Sequence, residues 1–418
     1  MNIPAVTSEE VEISKPSRIA AIDFTRGLVV ILMALDHAST YWNSGRVFGE
    51  FWFGSRPVPM PDLLQFLIRF VSHWCAPAFV FLAGTSIVLY ESSRRKRDIA
   101  EKEITNNLIA RGCVLLIIEW TLIGWLFSAG SGYFGVLAAI GVGLIIYAFL
   151  RRLSTKIVLG FSLFLVLSPL FAGFIWNPIM EAGSHPVNFS ILYPGVILDP
   201  ILSINPELQT WIRTILHWPQ FPYGLYPLDP WLGVMGLGIV FGRWLLKQQE
   251  DKKTTRDISK KLGLTGGIAL ILFFFVRTLL GLPSTYFPIW SANGVLIENA
   301  FMIQNYFWMS KYPPSIVFLL WTLGGMCLAL AAGFYLQENE KFQKWASGIL
   351  LFGSTALFFY CTHLLIYGAV PVVLGLVKLF SIQVTLLVWI LGLLILYPLC
   401  IRFKQIKRRY PHSLLKYI

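Results

Sequence analysis

Stretches of about 20 apolar residues dominate the chain, each long enough at 1.5 Å per residue to cross ~30 Å of hydrocarbon as a helix. Ten can be marked, at residues 19 to 41, 63 to 90, 105 to 127, 133 to 150, 157 to 176, 228 to 246, 262 to 282, 314 to 336, 346 to 368 and 382 to 401. Lipid cannot satisfy backbone N–H and C=O groups, so runs of this kind must close their hydrogen bonds internally. The expected fold class is all-α: a polytopic integral membrane helical bundle of about ten transmembrane helices with both termini cytoplasmic. The fourth run is short and glycine-rich, and Pro371 blurs the division of the last two, so nine or eleven spans stay open. Charged residues make up 13% of the 418, against about 25% in soluble proteins, which excludes a soluble multidomain chain. The expected organisation is a disordered tail at 1–17, one membrane domain at 18–405 and a basic cytoplasmic tail at 406–418. The N-terminal tail is polar, carries Glu9, Glu10 and Glu12, and lacks the basic-then-apolar order of a cleaved signal.

A net charge of +12 raises the question of a polyanionic partner, which the distribution of the basic residues answers. With the N-terminus inside, Arg46, Arg56, Arg213, Lys311 and Lys378 fall in outer connections, and Arg26, Arg69, Arg111 and Arg277 fall within spans. All the others collect in the tails and inner connections, as the positive-inside bias demands. The excess is a topology signal, and no nucleic-acid partner is expected. Cys75, Cys113, Cys327, Cys361 and Cys400 all lie in apolar runs without a CxxC pair, so neither a disulfide framework nor a metal site is expected. The long outer connections, 42 to 62, 177 to 227 and 283 to 313, are rich in Trp and Tyr. Their aromatics, among them Trp211, Trp218, Phe221, Tyr223, Tyr226 and Tyr286, suit an interfacial belt, with a carbohydrate-stacking surface as the other reading.

An ionisable group near the bilayer centre costs at least ~2.5 kcal/mol on insertion scales, which makes each one a functional candidate. The first span holds Asp23, Arg26, Asp36 and His37. On a helical wheel Arg26 and His37 are about 20° from eclipsed and Asp23 is about 40° from His37, so three of the four share a stripe. Arg26 and His37 are then about 16 Å apart along the axis, Arg26 toward the inside and His37 toward the outside. The second span adds Arg69 and His73, one turn apart, with His73 near mid-depth and Cys75 and Pro77 beyond it. The bland reading is an Asp23–Arg26 ion pair with histidines that merely bridge helices. Against it, imidazole titrates near neutrality and suits proton transfer. Arg111 and Glu119 read as a structural network, His363 as a lone structural histidine, and Arg277 as a group that holds an anionic ligand or cofactor arm.

The segment from Arg18 through IDFTRG to Asp36-His37-Ala38, then VSHWCAPAFVFLAGTSIVLY from Val71 and KYPPSIVFLLWTLG from Lys311, resembles the heparan-α-glucosaminide N-acetyltransferase catalytic-domain family with its bacterial relatives. The spacing of Arg26 and His37 is also similar to a motif of the related acyltransferase-three family. The resemblance implies acetyl transfer from cytosolic acetyl-CoA to a carbohydrate or amino-sugar acceptor across the membrane, in a bacterial inner membrane. Carried over, the resemblance implies Arg26 at the cofactor with Asp23 orienting it, and His37 at the acceptor with His73 lining the same cavity; Asp36 joins His37 and His73 as a catalytic candidate, and Arg69 and Arg277 join Arg26 and Asp23 as cofactor-binding candidates. Expected partners are acetyl-CoA, that acceptor, the lipid bilayer and a second copy in a homodimer. The lysosomal enzymes carry a histidine in the loop after the first span, whereas residues 38 to 72 here contain none. Direct transfer with His37 as base is the favoured mechanism, and Cys75 as an acetyl carrier is the ping-pong variant. The alternative from another class is a small-molecule transporter with an intramembrane Asp/Arg/His path, whose signs would be an inverted repeat and paired interrupted helices. A non-catalytic lipid- or glycan-binding protein is a third reading.

Overall fold

The structure, a computed structural model, describes residues 19–47, 60–127, 133–176, 226–281, 304, 306–312, 314–411, 413 and 415. The tail expected at 1–17, most of the outer connections and most of their aromatics lie outside the described residues. Tyr226 is described, and it is buried against Trp231 and Tyr312 rather than lying in a belt.

All ten predicted segments are helical. The helices are α1 (Ala20–Trp42), α2 (Leu63–Ser72), α3 (Cys75–Arg95), α4 (Glu101–Ile118), α5 (Val136–Leu150), α6 (Thr155–Trp176) and α7 (Leu228–Glu250). They continue with α8 (Thr255–Gly281), α9 (Ile316–Leu336), α10 (Glu340–Trp345), α11 (Ser347–Ser354), α12 (Ala356–Leu364) and α13 (Ile382–Arg409). Single π-helical turns, Glu119–Ile123 and Leu365–Ala369, extend α4 to Leu126 and α12 to Val373. Among the described residues there is no strand, only two isolated bridges. Among the described residues, six stretches are long and apolar enough to cross a membrane: Leu63–Arg95, Glu101–Leu126, Thr255–Leu279, Ile316–Leu336, Ala356–Val373 and Ile382–Arg409. The apolar parts of α5 and α6 are shorter, and α1 and α7 are diluted by their polar residues. Large apolar side chains such as Phe164, Ile271 and Leu394 are more than half exposed, an exterior suited to lipid.

Two departures from the predicted segments have local causes. The second segment breaks at His73–Trp74, because Pro77 has no N–H for the His73 carbonyl and its ring crowds that oxygen. The ninth, expected as one span at 346 to 368, is split at Thr355 and restarts as Ala356–Val373. There the hydroxyls of Ser354 and Thr355 both donate to the Leu351 carbonyl, at 2.8 and 2.9 Å, competing with the helical ladder. The final helix runs to Arg409, past the residue where the basic tail was expected to begin.

The helix with the most intramembrane charge is the hub of the bundle. Helices α2, α3, α9, α11, α12 and α13 all pack on α1, so its polar groups face protein instead of lipid. Close approach depends on glycine. A Cβ at Gly353 would stand 1.8 Å from the Asp23 carbonyl oxygen, and one at Gly27 would stand 2.0 Å from that of Ile349. Backbone contact of this kind is how small residues hold membrane helices together. Gly353→Val is expected to force α1 from α11 and cost about 1–3 kcal/mol, read by denaturant unfolding in detergent. Gly160→Ala on α6, where nothing lies within 4 Å, is the control and should be neutral or slightly stabilising.

At the Arg26 end, an ionic knot ties α3, α4 and α5. Arg151, its side chain fully buried, donates to Glu91 at 2.5 Å, Glu101 at 3.0 Å and the Thr105 hydroxyl at 3.0 Å. Arg95 joins the same two carboxylates at 2.8 and 2.6 Å. Arg151→Leu strands Glu91 with the exposed Arg95 alone. We expect a loss of about 3 kcal/mol, measured as a lower unfolding midpoint.

Candidate active site

Asp36 and His37 are neighbours on α1 and therefore point about 100° apart. Asp36 faces α2: Arg69 Nη1 lies 2.8 Å from both carboxylate oxygens, Ser72 Oγ donates to Oδ1 at 3.1 Å, and Arg46 Nη2 stands 3.3 Å from Oδ1. The carboxylate is thus occupied by two guanidiniums and a hydroxyl, which locks α1 to α2. Arg69, expected at the cofactor, is turned to Asp36. His73, expected to line a cavity with His37, is fully buried, its Nδ1 on the Arg69 carbonyl and its ring edge-on to Phe318.

His37 faces α12. Its Nδ1 lies 2.7 Å from Nε2 of His363, and the two rings stack with centroids 5.0 Å apart. Phe127 stands edge-on to His37, while Phe359, Tyr360 and Tyr367 surround His363. His363, read from the sequence as a lone structural histidine, is the residue the fold brings to His37. The sequence signal was its cost in an apolar span; its partner was not legible.

Lys311 is the second residue that only the fold places here. The Ser315 N–H donates to the Ser310 carbonyl at 3.0 Å, closing a tight turn before α9. The turn holds the buried Lys311 with its ammonium 4.9 Å from the Tyr312 ring centre and 5.9 Å from that of Tyr226. From that position its charge acts on Asp36, His37 and His73. Arg277 donates to the Tyr306 carbonyl, so it anchors the segment that leads to Lys311. Cys75 Sγ donates to the Val29 carbonyl at 3.3 Å and is buried, which turns the thiol into the backbone of α1.

About three turns of α1 away, Arg26 Nη1 meets Asp23 Oδ1 at 2.8 Å and the Gly353 carbonyl at 3.3 Å, and Nη2 reaches Ser86 Oγ at 3.4 Å. Both partners of the ion pair keep some exposure, 21% for Arg26 and 15% for Asp23. Arg111 and Arg94 flank this point, their guanidiniums 5.8 and 5.1 Å from the Tyr90 ring centre, and Arg111 feels the charges of Arg26 and Arg94. The structural network expected between Arg111 and Glu119 does not form. Arg111 turns to Tyr90, and Glu119 lies in the π-helical turn with its carboxylate against Gly135. The reason is axial: eight helical residues separate the two by about 12 Å, beyond side-chain reach.

The shared stripe on α1 thus meets one helix pair, Arg26 against α11 and His37 against α12. Fold and site together define a polytopic helical membrane protein whose central helix carries an arginine cluster at one end and a histidine pair at the other. Residues 18–277 match the family described as heparan-alpha-glucosaminide N-acetyltransferase, catalytic. The match covers more than half of the chain, and the chain belongs to that family; it is a transmembrane acetyltransferase. No curated protein matches the chain. The family match ends before α9, so Lys311, the KYPPS segment and His363 lie beyond it.

Proposed function

We propose that the protein moves an acetyl group from acetyl-CoA, held from the cytosol at the Arg26 end, to an amino sugar or other carbohydrate at the outer, His37 end. One observation carries the reading. The arginine cluster and the histidine pair lie on one face of α1, about 16 Å apart, a span of the order of a pantetheine arm. Arg26, oriented by Asp23 and flanked by Arg111 and Arg94, offers cationic donors for the anionic part of CoA. Arg69 and Arg277 receive positioning roles instead, on Asp36 and on the Tyr306 segment.

In the transfer step the acceptor nitrogen or oxygen attacks the thioester carbonyl carbon while His37 takes its proton. The carbonyl carbon–sulfur bond breaks, and the proton on His37 goes to the departing CoA thiolate, giving acetylated acceptor and free CoA. Lys311 supplies positive charge next to the oxygen that becomes negative. Lys311→Met should lower kcat on the order of 10²-fold with little change in acetyl-CoA affinity, measured by CoA release. His73 and Asp36 then act through Arg69, as supports of the α1–α2 contact. The proposed location is the inner membrane of a bacterium.

The test is an assay of purified protein in nanodiscs with acetyl-labelled acetyl-CoA and a panel of amino sugars and neutral sugars. Labelled product with stoichiometric CoA release supports the reading. Failure to label any acceptor, together with no CoA release, overturns it.

A further inference from the structure

Two contacts on His363 set the protonation pattern of the whole histidine pair. Its Nδ1 lies 3.0 Å from the Phe359 carbonyl oxygen, one turn back on α12. A carbonyl only accepts, so Nδ1 of His363 must carry the proton of that bond. In a neutral ring the other nitrogen, Nε2, is then an acceptor. Nε2 lies 2.7 Å from Nδ1 of His37, and a hydrogen bond at that length needs a proton between them, which His37 must provide. With its Nδ1 protonated, neutral His37 is left with its lone pair on Nε2.

We propose that His363 is the positioning residue that holds His37 in the Nδ1–H tautomer and so presents Nε2 of His37 as the proton-accepting atom. A carboxylate or carbonyl commonly orients a catalytic imidazole in this way. Here the orienting acceptor is a second histidine, itself fixed by a helix carbonyl and enclosed by Phe359, Tyr360 and Tyr367. Asp36, the carboxylate nearest in sequence, cannot serve, because it points to α2 and is taken by Arg69, Arg46 and Ser72. Residue 363 lies outside the segment that matches the family, so the assignment comes from the packing of α12 on α1. Its consequence for catalysis rests on the acetyl-transfer reading; the tautomer itself does not.

The direct experiment is ring nitrogen NMR of protein labelled with ¹⁵N-histidine in nanodiscs, with His37 and His363 signals assigned from His37→Gln and His363→Phe. The expected result in the unmodified chain is a protonated Nδ1 and an unprotonated Nε2 in both rings. His37 as the Nε2–H tautomer, or as imidazolium at neutral pH, overturns the proposal. The second arm compares variants. His363→Gln restores an acceptor oxygen near the position of Nε2, whereas His363→Phe keeps the ring and removes the acceptor. Transfer should fall on the order of 10²-fold in the Phe variant and recover most of that in the Gln variant, with acetyl-CoA affinity unchanged in both. Equal loss in the two variants overturns the positioning role. The expected tautomers in a protein that acetylates no acceptor would support this proposal while sinking the acetyl-transfer reading, so the two fail separately.

Discussion

Replacing His37 by alanine should abolish acetyl transfer while acetyl-CoA still binds. A general base contributes typically 10²–10⁴-fold, and His37 is the group on the α1 stripe whose lone pair the geometry leaves for the acceptor. The variant removes the base and strands Nε2 of His363 without its hydrogen bond, a buried loss of about 1–3 kcal/mol. Some fall in unfolding midpoint is therefore expected as well. The two effects separate in a binding measurement: the dissociation constant for acetyl-CoA, by calorimetry, should stay within a few-fold of the unmodified protein. Equal loss of binding and turnover would place His37 at the donor instead of the acceptor.

Arg26→Ala is the complementary result, with loss of binding as the primary effect. Charge-assisted hydrogen bonds are worth about 1.5–3 kcal/mol, so the dissociation constant for CoA should rise roughly 10- to 100-fold. Arg26 also donates to the Gly353 carbonyl between α1 and α11, and unfolding must be followed in parallel. Asp23→Ala helps here: it removes the orienting carboxylate and leaves the cation, so it should weaken CoA binding less than Arg26→Ala does. An unchanged CoA affinity in the Arg26 variant would return Asp23 and Arg26 to a purely structural ion pair.

The two predictions concern residues that the sequence already singled out, and for a common reason. An arginine or histidine in an apolar run is costly in lipid whatever surrounds it, so its presence is readable from the chain alone. Helical periodicity added the shared stripe of Asp23, Arg26 and His37, because positions on one helix relate by rotation and rise without reference to any neighbour. What periodicity cannot supply is a partner on another helix. Arg69 was assigned to the cofactor, yet Asp36 captures it across the α1–α2 contact. Arg277 was given to an anionic ligand, yet it anchors Tyr306. Arg151 was one of many loop charges and proves to be a buried tie among three helices.

The helix interruptions were equally hidden. Pro77 is visible in the sequence, but no hydropathy scan registers the π-helical turns at Glu119 and Leu365 or the split at Thr355, where two hydroxyls compete for the Leu351 carbonyl. Paired interrupted helices are one of the signs expected of a transporter. The structure contains interrupted helices, and they lie in a chain that belongs to an acetyltransferase family.

Composition and periodicity by themselves determined that this is an all-helical membrane chain, because in lipid the backbone has no other way to bond a 20-residue apolar run. They also determined which few charged and imidazole groups pay the cost of being there. Only the tertiary structure decided that α1 is the hub, that Asp36 and His37 serve different neighbours, and that His363 and Lys311 belong beside His37. Those residues are separated in the chain by as many as 326 positions, and their meeting depends on glycine-mediated contact of α1 with α11 and on the turn that restarts α12, which no single segment encodes.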